Sequence, residues 1–151
     1  MSFTGVDSLD RGIDKANAWL ADIDAGFGTG DRRLAYRVLR ALLHNPRDRL
    51  SVAVAAHFAA QLPELLRGVF FDGWNPSRVP QKRDRAQYVT RFASEARVRD
   101  SDVAKAAGIV TAVARRRMSG GVVAQVFERL PVGLRGLLGP AAAEQAAGGS
   151  R

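Results

Sequence analysis

Two near-copies of one short motif divide the chain into related halves. Residues 61–70 read QLPELLRGVF, and residues 129–138 read RLPVGLRGLL. When residues 49–70 are compared with residues 117–138, a constant offset of 68, nine of the 22 pairs are identical and no gap is needed. Self-similarity at a fixed offset is typical of a repeated structural unit. The sequence therefore predicts an internal duplication, with copies at residues 31–71 and 101–138.

Apolar residues recur at steps of three and four along most of the chain, which is the spacing of amphipathic helices. The stripe of the first such helix consists of Val6, Leu9, Ile13, Ala16, Leu20, Ile23 and Phe27. We therefore expect an all-α protein of about eight helices. An acidic N-terminal helix precedes two duplicated helix–helix–short helix units, which are joined by a linker with a helix. Residues 1–140 form a single domain, and the Ala/Gly-rich residues 141–151 form a flexible tail.

Single residues predict several helix boundaries. Asp31 and Ser51 are typical N-caps, and Gly26 is a typical C-cap. Pro46 predicts the end of the second helix, because a residue before proline avoids the helical conformation. Gly68 predicts that a neighbouring element approaches the backbone closely.

The charge is strongly basic and unevenly distributed. Arginine supplies 20 of the 23 basic residues, and the formal net charge is +8. Residues 1–31 carry a net charge of −4, whereas the remainder carries +12. An acidic arm on a basic body indicates either solvated helix faces rich in arginine or a surface that attracts a polyanion.

Two basic clusters are candidates for an anion-binding or partner-binding face. The first, on one face of the second helix, consists of Arg33, Arg37, Arg40 and His44. The second, at the C-terminal end of a later helix, consists of Arg115, Arg116 and Arg117. Both could contact phosphate groups. The first is also explained as an ordinary solvated face or as one covered by the acidic N-terminal helix. The second is also explained as a complement to the helix dipole.

Trp74 is a candidate aromatic contact for a partner. It lies in a proline-bounded connector between the two repeats, close in sequence to several other aromatic residues. It either pins the connector to the core or, if exposed, provides a binding hot spot.

No catalytic, cofactor-binding or metal-binding residue is predicted. The chain has no cysteine, and its two histidines, His44 and His57, lack a partner at metal-ligand spacing. The carboxylates show no acid/base spacing. No apolar run reaches the roughly 20 residues that cross a bilayer, and the start does not resemble a secretion signal. We expect a cytoplasmic protein without a membrane partner, and the pattern favours a non-enzymatic one.

Several stretches resemble a bacterial family known as domain of unknown function 2267. They are residues 17–20, 31–41, 47–50, 60–68 and 73–78. The resemblance extends over roughly residues 5–140. It implies an all-helical bacterial protein and transfers no functional residue.

These observations favour a module that binds a protein, either another protein or a second copy of itself. The motivation is a repeated scaffold without catalytic groups, an apolar N-terminal stripe and an aromatic connector. The alternative is electrostatic binding of nucleic acid through the two basic clusters. A small-molecule or anion pocket between the repeats is the third possibility.

Overall fold

The computed structural model describes residues 3–119 and 121–138, and this part of the chain is helical without any strand. The helices are α1 (Asp7–Phe27), α2 (Arg32–Arg47), α3 (Val52–Ala60), α4 (Glu64–Phe71), α5 (Arg85–Ala96), α6 (Val103–Arg117), α7 (Val122–Glu128) and α8 (Val132–Leu138). Short 3₁₀ turns occur at Pro76–Arg78 and Asp100–Asp102. The predicted all-α class is therefore confirmed.

The N-caps predicted for α2 and α3 are also confirmed. The carboxylate of Asp31 accepts hydrogen bonds from the backbone N–H groups of Arg33 and Leu34, at 3.0 and 3.1 Å. The hydroxyl of Ser51 accepts one from the N–H of Val54 at 3.3 Å. These contacts are local, so the residue type and its position are enough to predict them.

Two predicted helix ends are wrong. α2 does not stop before Pro46 but includes it and ends at Arg47. The residues of this last turn are buried, and tertiary contacts outweigh the local preference against proline. α1 likewise continues through Gly26, and its C-cap is Gly28, which has the left-handed φ of 70°.

Gly26 has a packing role instead. An ideal Cβ at this position would lie only 2.6 Å from Cγ2 of Ile109, so α1 and α6 approach each other closely there. The prediction of close packing at Gly68 is wrong, because a Cβ at that position would meet no atom within 4 Å.

α2 lies at the centre of the molecule and packs against α1, α4, α5 and α6. Its apolar face is fully buried at Val38 and Leu39. Phe92 of α5 and Val110 of α6 are also completely covered. The core is thus built around the second helix, and every other long helix packs against it.

The order of elements matches the predicted repeat, but the duplication itself stays a prediction. α4 packs on α2 as α8 packs on α6. In both copies the arginine of the motif donates to the carbonyl oxygen five residues earlier, Arg67 to Leu62 at 3.1 Å and Arg135 to Leu130 at 2.9 Å. Three residues of the two motif copies are buried, Leu66, Phe70 and Leu134. The side chain of Leu138 and the tail at 141–151 lie outside what the structure describes.

Candidate functional site

The predicted basic face of α2 finds its partners on α4 and α5 rather than on the acidic α1. Arg33, at the start of this face, is exposed. Arg37 is half-buried, and its Nε donates a hydrogen bond to the carbonyl oxygen of Ala96 at 3.0 Å. Ala96 is the last residue of α5, so Arg37 satisfies a carbonyl without a partner in its own helix.

Arg40, the next residue of this face, contacts two carboxylates. Its guanidinium forms a short ion pair with Asp72, and its Nε lies 3.8 Å from Oε1 of Glu95. The hydrogen bond to Asp72 raises the pKa of Arg40, and the same bond lowers the pKa of Asp72 from its ordinary value. The charge of Arg40 is therefore balanced within the chain.

His44 is buried and bridges α4 and α5. Its Nε2 lies 2.6 Å from the carbonyl oxygen of Val69 near the end of α4. Since a carbonyl oxygen can only accept, Nε2 carries a hydrogen and donates it. Nδ1 faces Oε1 of Glu95, whose other oxygen accepts a bond from Nδ2 of Asn45 at 3.3 Å. His44 is therefore a tertiary link and not part of a solvent-facing stripe.

Arg47 completes this link and is only 5% exposed. One terminal nitrogen donates to the carbonyl oxygens of Phe70 and Asp72, at 2.7 and 2.9 Å. Its Nε donates to Oδ1 of Asp48 at 2.9 Å. Arg47 and His44 thus supply donors to the C-terminal carbonyls of α4, and Arg47 adds a positive charge there, where the helix dipole favours one.

We call these polar residues the capping cluster. Its members are Arg40, His44, Arg47, Asp48, Asp72 and Glu95. They line an open cleft of about 410 Å³, together with Arg91 and Ser94. Each member of the cluster already has a partner within the chain, so its chemistry is that of a structural ion-pair network. The His44–Glu95 pair resembles an acid/base pair in composition, but the second nitrogen of His44 is occupied by a backbone carbonyl.

Sequence reasoning found only Arg40 and His44 of this cluster. Arg47 could have been added, because it follows them at helical spacing on the same face. Glu95 could not, since it lies 51 residues from His44 and nothing in the linear pattern pairs them.

The second predicted cluster, at the end of α6, is divided among three environments. Nε of Arg117 donates to Oδ2 of Asp22 in α1 at 2.7 Å, and this hydrogen bond lowers the pKa of Asp22 from its ordinary value. The guanidinium carbon of Arg115 lies 5.9 Å from the ring centroid of Phe127, within cation–π range. All three arginines are exposed. Two of them, Arg115 and Arg117, nevertheless have partners within the chain.

Trp74 is half-buried and packs against Phe71, with ring centroids 5.1 Å apart. Its indole N–H is buried and has no hydrogen-bond acceptor. The indole thus packs against the core, which is the arrangement expected if Trp74 pins the connector. Only part of its surface faces solvent.

Three large apolar side chains around the start of α1 are exposed. Phe3, Val6 and Leu9 are 73, 48 and 49% exposed. The first buried residue of α1 is Trp19, although Ala16 already packs partly against the core and Asn17 accepts hydrogen bonds from Arg32. We call residues 3–18 the N-terminal arm. Residues 7–15 extend about 14 Å along the helix before Ala16, at 1.5 Å per residue.

Within residues 3–119 and 121–138, no group of three or more potential ligands could hold a metal ion. No helix in the same residues is both long and apolar enough to cross a membrane.

The geometry defines an all-helical scaffold whose helices α2, α4 and α5 are joined by a partly buried ion-pair network and whose N-terminal arm is apolar. The chain belongs to the family described as "uncharacterized conserved protein (DUF2267)", which matches residues 16–137. The resemblance stated from the sequence is therefore confirmed. No curated protein matches the chain. Most of the N-terminal arm precedes the matched residues.

Proposed function

We propose that this protein is a non-enzymatic interaction module that associates with a second copy of itself through the N-terminal arm. One observation carries the proposal: Phe3, Val6 and Leu9, around the start of α1, are about half exposed or more, and the first buried residue of that helix is Trp19. Val6 and Leu9 continue the apolar stripe of α1, whose later members pack against the other helices. The arm therefore extends this stripe beyond the helices that cover it.

An isolated helical segment of this length needs a covering surface. Helices shorter than about 12–15 residues are marginal in water, and a glycine within one costs about 1 kcal/mol relative to alanine. The arm contains Gly12 and exposes apolar side chains. Burying those side chains against another chain would stabilise both the helix and the complex.

The distribution of charge favours a second copy as the partner. The arm carries three aspartates and two bases, Arg11 and Lys15, and so a net charge of −1, whereas residues 32–151 carry +12. The apolar, slightly acidic arm is therefore complementary in sign to the basic body of a second copy. Asp22 and Asp24, by contrast, pair with arginines of their own chain.

The nucleic-acid alternative has less support. It needs arginines that are free to contact phosphate, whereas Arg40 and Arg117 form ion pairs within the chain and Arg37 caps α5. Arg33 and Arg116 are exposed.

The test is sedimentation velocity over a wide range of protein concentration. The wild type is expected to shift from monomer to dimer, whereas the double variant Val6→Gln/Leu9→Gln remains monomeric. Val52→Gln is the matched control, because Val52 is 45% exposed on α3 and lies outside the arm. This control should dimerise like the wild type.

Two results would contradict the proposal. One is a wild type that stays monomeric at every concentration. The other is a double variant that dimerises as well as the Val52 control. Binding to duplex DNA that weakens steeply with salt, with no dimer present, would favour the nucleic-acid alternative instead.

A further inference from the structure

The interior holds an apolar cavity between the two predicted repeats. Its volume is about 40 Å³, and its walls come from α1, α2, α3, α4, α6 and α7. Trp19, Leu42, Phe58, Val110 and Met118 are among the lining residues. Voids larger than a water molecule are few in close-packed protein interiors, and purely apolar ones stay dry and bind small apolar molecules.

The walls offer almost no polar surface to an occupant. Arg47 is the only charged residue that lines this cavity. Its Nε and one terminal nitrogen already donate to Asp48 and to the carbonyl oxygens of Phe70 and Asp72. The cavity therefore suits a hydrocarbon group of a few heavy atoms and excludes a charged one.

A second cavity of about 190 Å³ adjoins the first at the end of α6. Met118 and Val123 line both, and the second is also lined by Arg115 and Ser119. Arg115 is exposed, and it lies over the ring of Phe127, which itself lines the apolar cavity. A positive charge is thus held at the edge of a hydrocarbon-lined space.

We propose that these two cavities form one binding site for a small monocarboxylic acid with an alkyl tail. The tail occupies the apolar cavity, and the carboxylate pairs with Arg115 in the outer cavity. Met118 lies between the two, and its flexible thioether side chain rotates to connect them. This site is separate from the N-terminal arm, so it does not depend on the proposed self-association.

The test uses sodium hexanoate as the probe and ¹³C-methyl NMR of methionine as the readout. The chain has only two methionines, Met1 and Met118. Hexanoate is expected to shift the Met118 methyl signal to saturation and to leave the Met1 signal in place. Hexan-1-ol, which has the same number of carbon atoms but no charge, should bind more weakly.

Four variants test separately how the protein binds the alkyl tail and how it binds the carboxylate. Ala114→Val adds two methyl groups to the wall of the apolar cavity and should abolish the response, and Val123→Ile serves the same purpose if that variant does not fold. Arg115→Gln should weaken binding about fivefold, the effect of one exposed ion pair. Arg116→Gln is the matched control and should bind like the wild type, because Arg116 lines neither cavity.

Each contrary result overturns a stated part of the proposal. An unshifted Met118 signal, or an equal shift in the folded cavity-filled variant, removes the site. Equal binding by the Arg115 and Arg116 variants, or equal binding of hexanol and hexanoate, removes the carboxylate as the recognised group.

Discussion

Replacing Arg47 by methionine tests whether the capping cluster holds the fold together. The guanidinium is 5% exposed and donates to the carbonyl oxygens of Phe70 and Asp72 and to the carboxylate of Asp48. Methionine keeps much of the side-chain length but provides no donor. The variant therefore leaves two carbonyls and one carboxylate without their strongest partner.

The magnitude follows from the burial of these groups. A buried acceptor that loses its donor costs about 1–3 kcal/mol, and breaking a buried ion pair on one side costs about 3–5 kcal/mol. Because these contributions overlap at one guanidinium, we expect the free energy of unfolding to fall by about 4 kcal/mol. That is a large part of the 5–15 kcal/mol typical of a domain.

The assay is urea-induced unfolding followed by far-ultraviolet circular dichroism. Arg115→Met is the matched control, since Arg115 lies 68 residues after Arg47, at the corresponding position of the second repeat, and is exposed. It should lose less than about 1 kcal/mol, the range of an exposed cation–π contact. Arg47→Lys, which keeps the charge but not the planar fork, should fall between them.

Either of two results would refute this reasoning. A loss of less than about 1 kcal/mol for Arg47→Met would mean that water satisfies the α4 carbonyls as well as the guanidinium does. Equal losses for Arg47→Met and Arg115→Met would mean that the burial of Arg47 does not increase its contribution to the free energy of unfolding.

Three further predictions concern other parts of the fold. Gly26→Ala should lower the free energy of unfolding by about 1 kcal/mol, because its Cβ would meet a methyl group of α6 at 2.6 Å. Gly12→Ala, where a Cβ meets nothing within 4 Å, should raise the free energy of unfolding by a similar amount. The reverse order of stability in urea unfolding would contradict this prediction. Tyr88→Phe should stabilise the protein by about 1 kcal/mol, since the hydroxyl is buried without a partner, and a loss in the same assay would show that the hydroxyl is satisfied. Arg117→Gln should destabilise at neutral pH, because its hydrogen bond lowers the pKa of Asp22 from 3.8. A carboxyl whose pKa is lowered on folding contributes stability above its unfolded pKa and loses it as the pH falls through the folded value. The difference from wild type in unfolding experiments should therefore disappear well below pH 3.8, and a difference that persists there would exclude the ion pair as its cause.

The same burial also affects the titration of Tyr88. Burial raises the pKa of its hydroxyl well above 10, and the nearby positive charge of Arg83 only partly opposes this. The tyrosine absorbance should accordingly show a fraction of the signal that titrates only on unfolding.

Local sequence predicted the helices well where the cause is local. The caps at Asp31 and Ser51 depend on bonds spanning two or three residues, and the apolar period of α2 depends on one helix alone. The end of α2 at Arg47 could not be predicted in this way, because the contacts that hold its last turn come from α4 and α5.

The basic face of α2 likewise combines a local feature that the sequence predicts with tertiary contacts that it does not. Its helical spacing was correctly read from the sequence, whereas its surroundings depend on residues 25–59 positions away. A stripe of arginines opposite an apolar face has the same pattern whether it meets water or the end of another helix. Only the packing of α4 and α5 against α2 converts Arg40 and His44 from surface charges into a tertiary link.

The sequence by itself determined the all-α class, the family and the periodicity of the apolar faces, because these depend on residue type and near neighbours. The tertiary structure alone decided which charges are free, since an ion pair is defined by distance in space. It also decided that the apolar stripe of α1 packs against the core from Ala16 onward but is exposed at Val6 and Leu9. The stripe is continuous in sequence, but the body that buries it extends along only the second half of the helix.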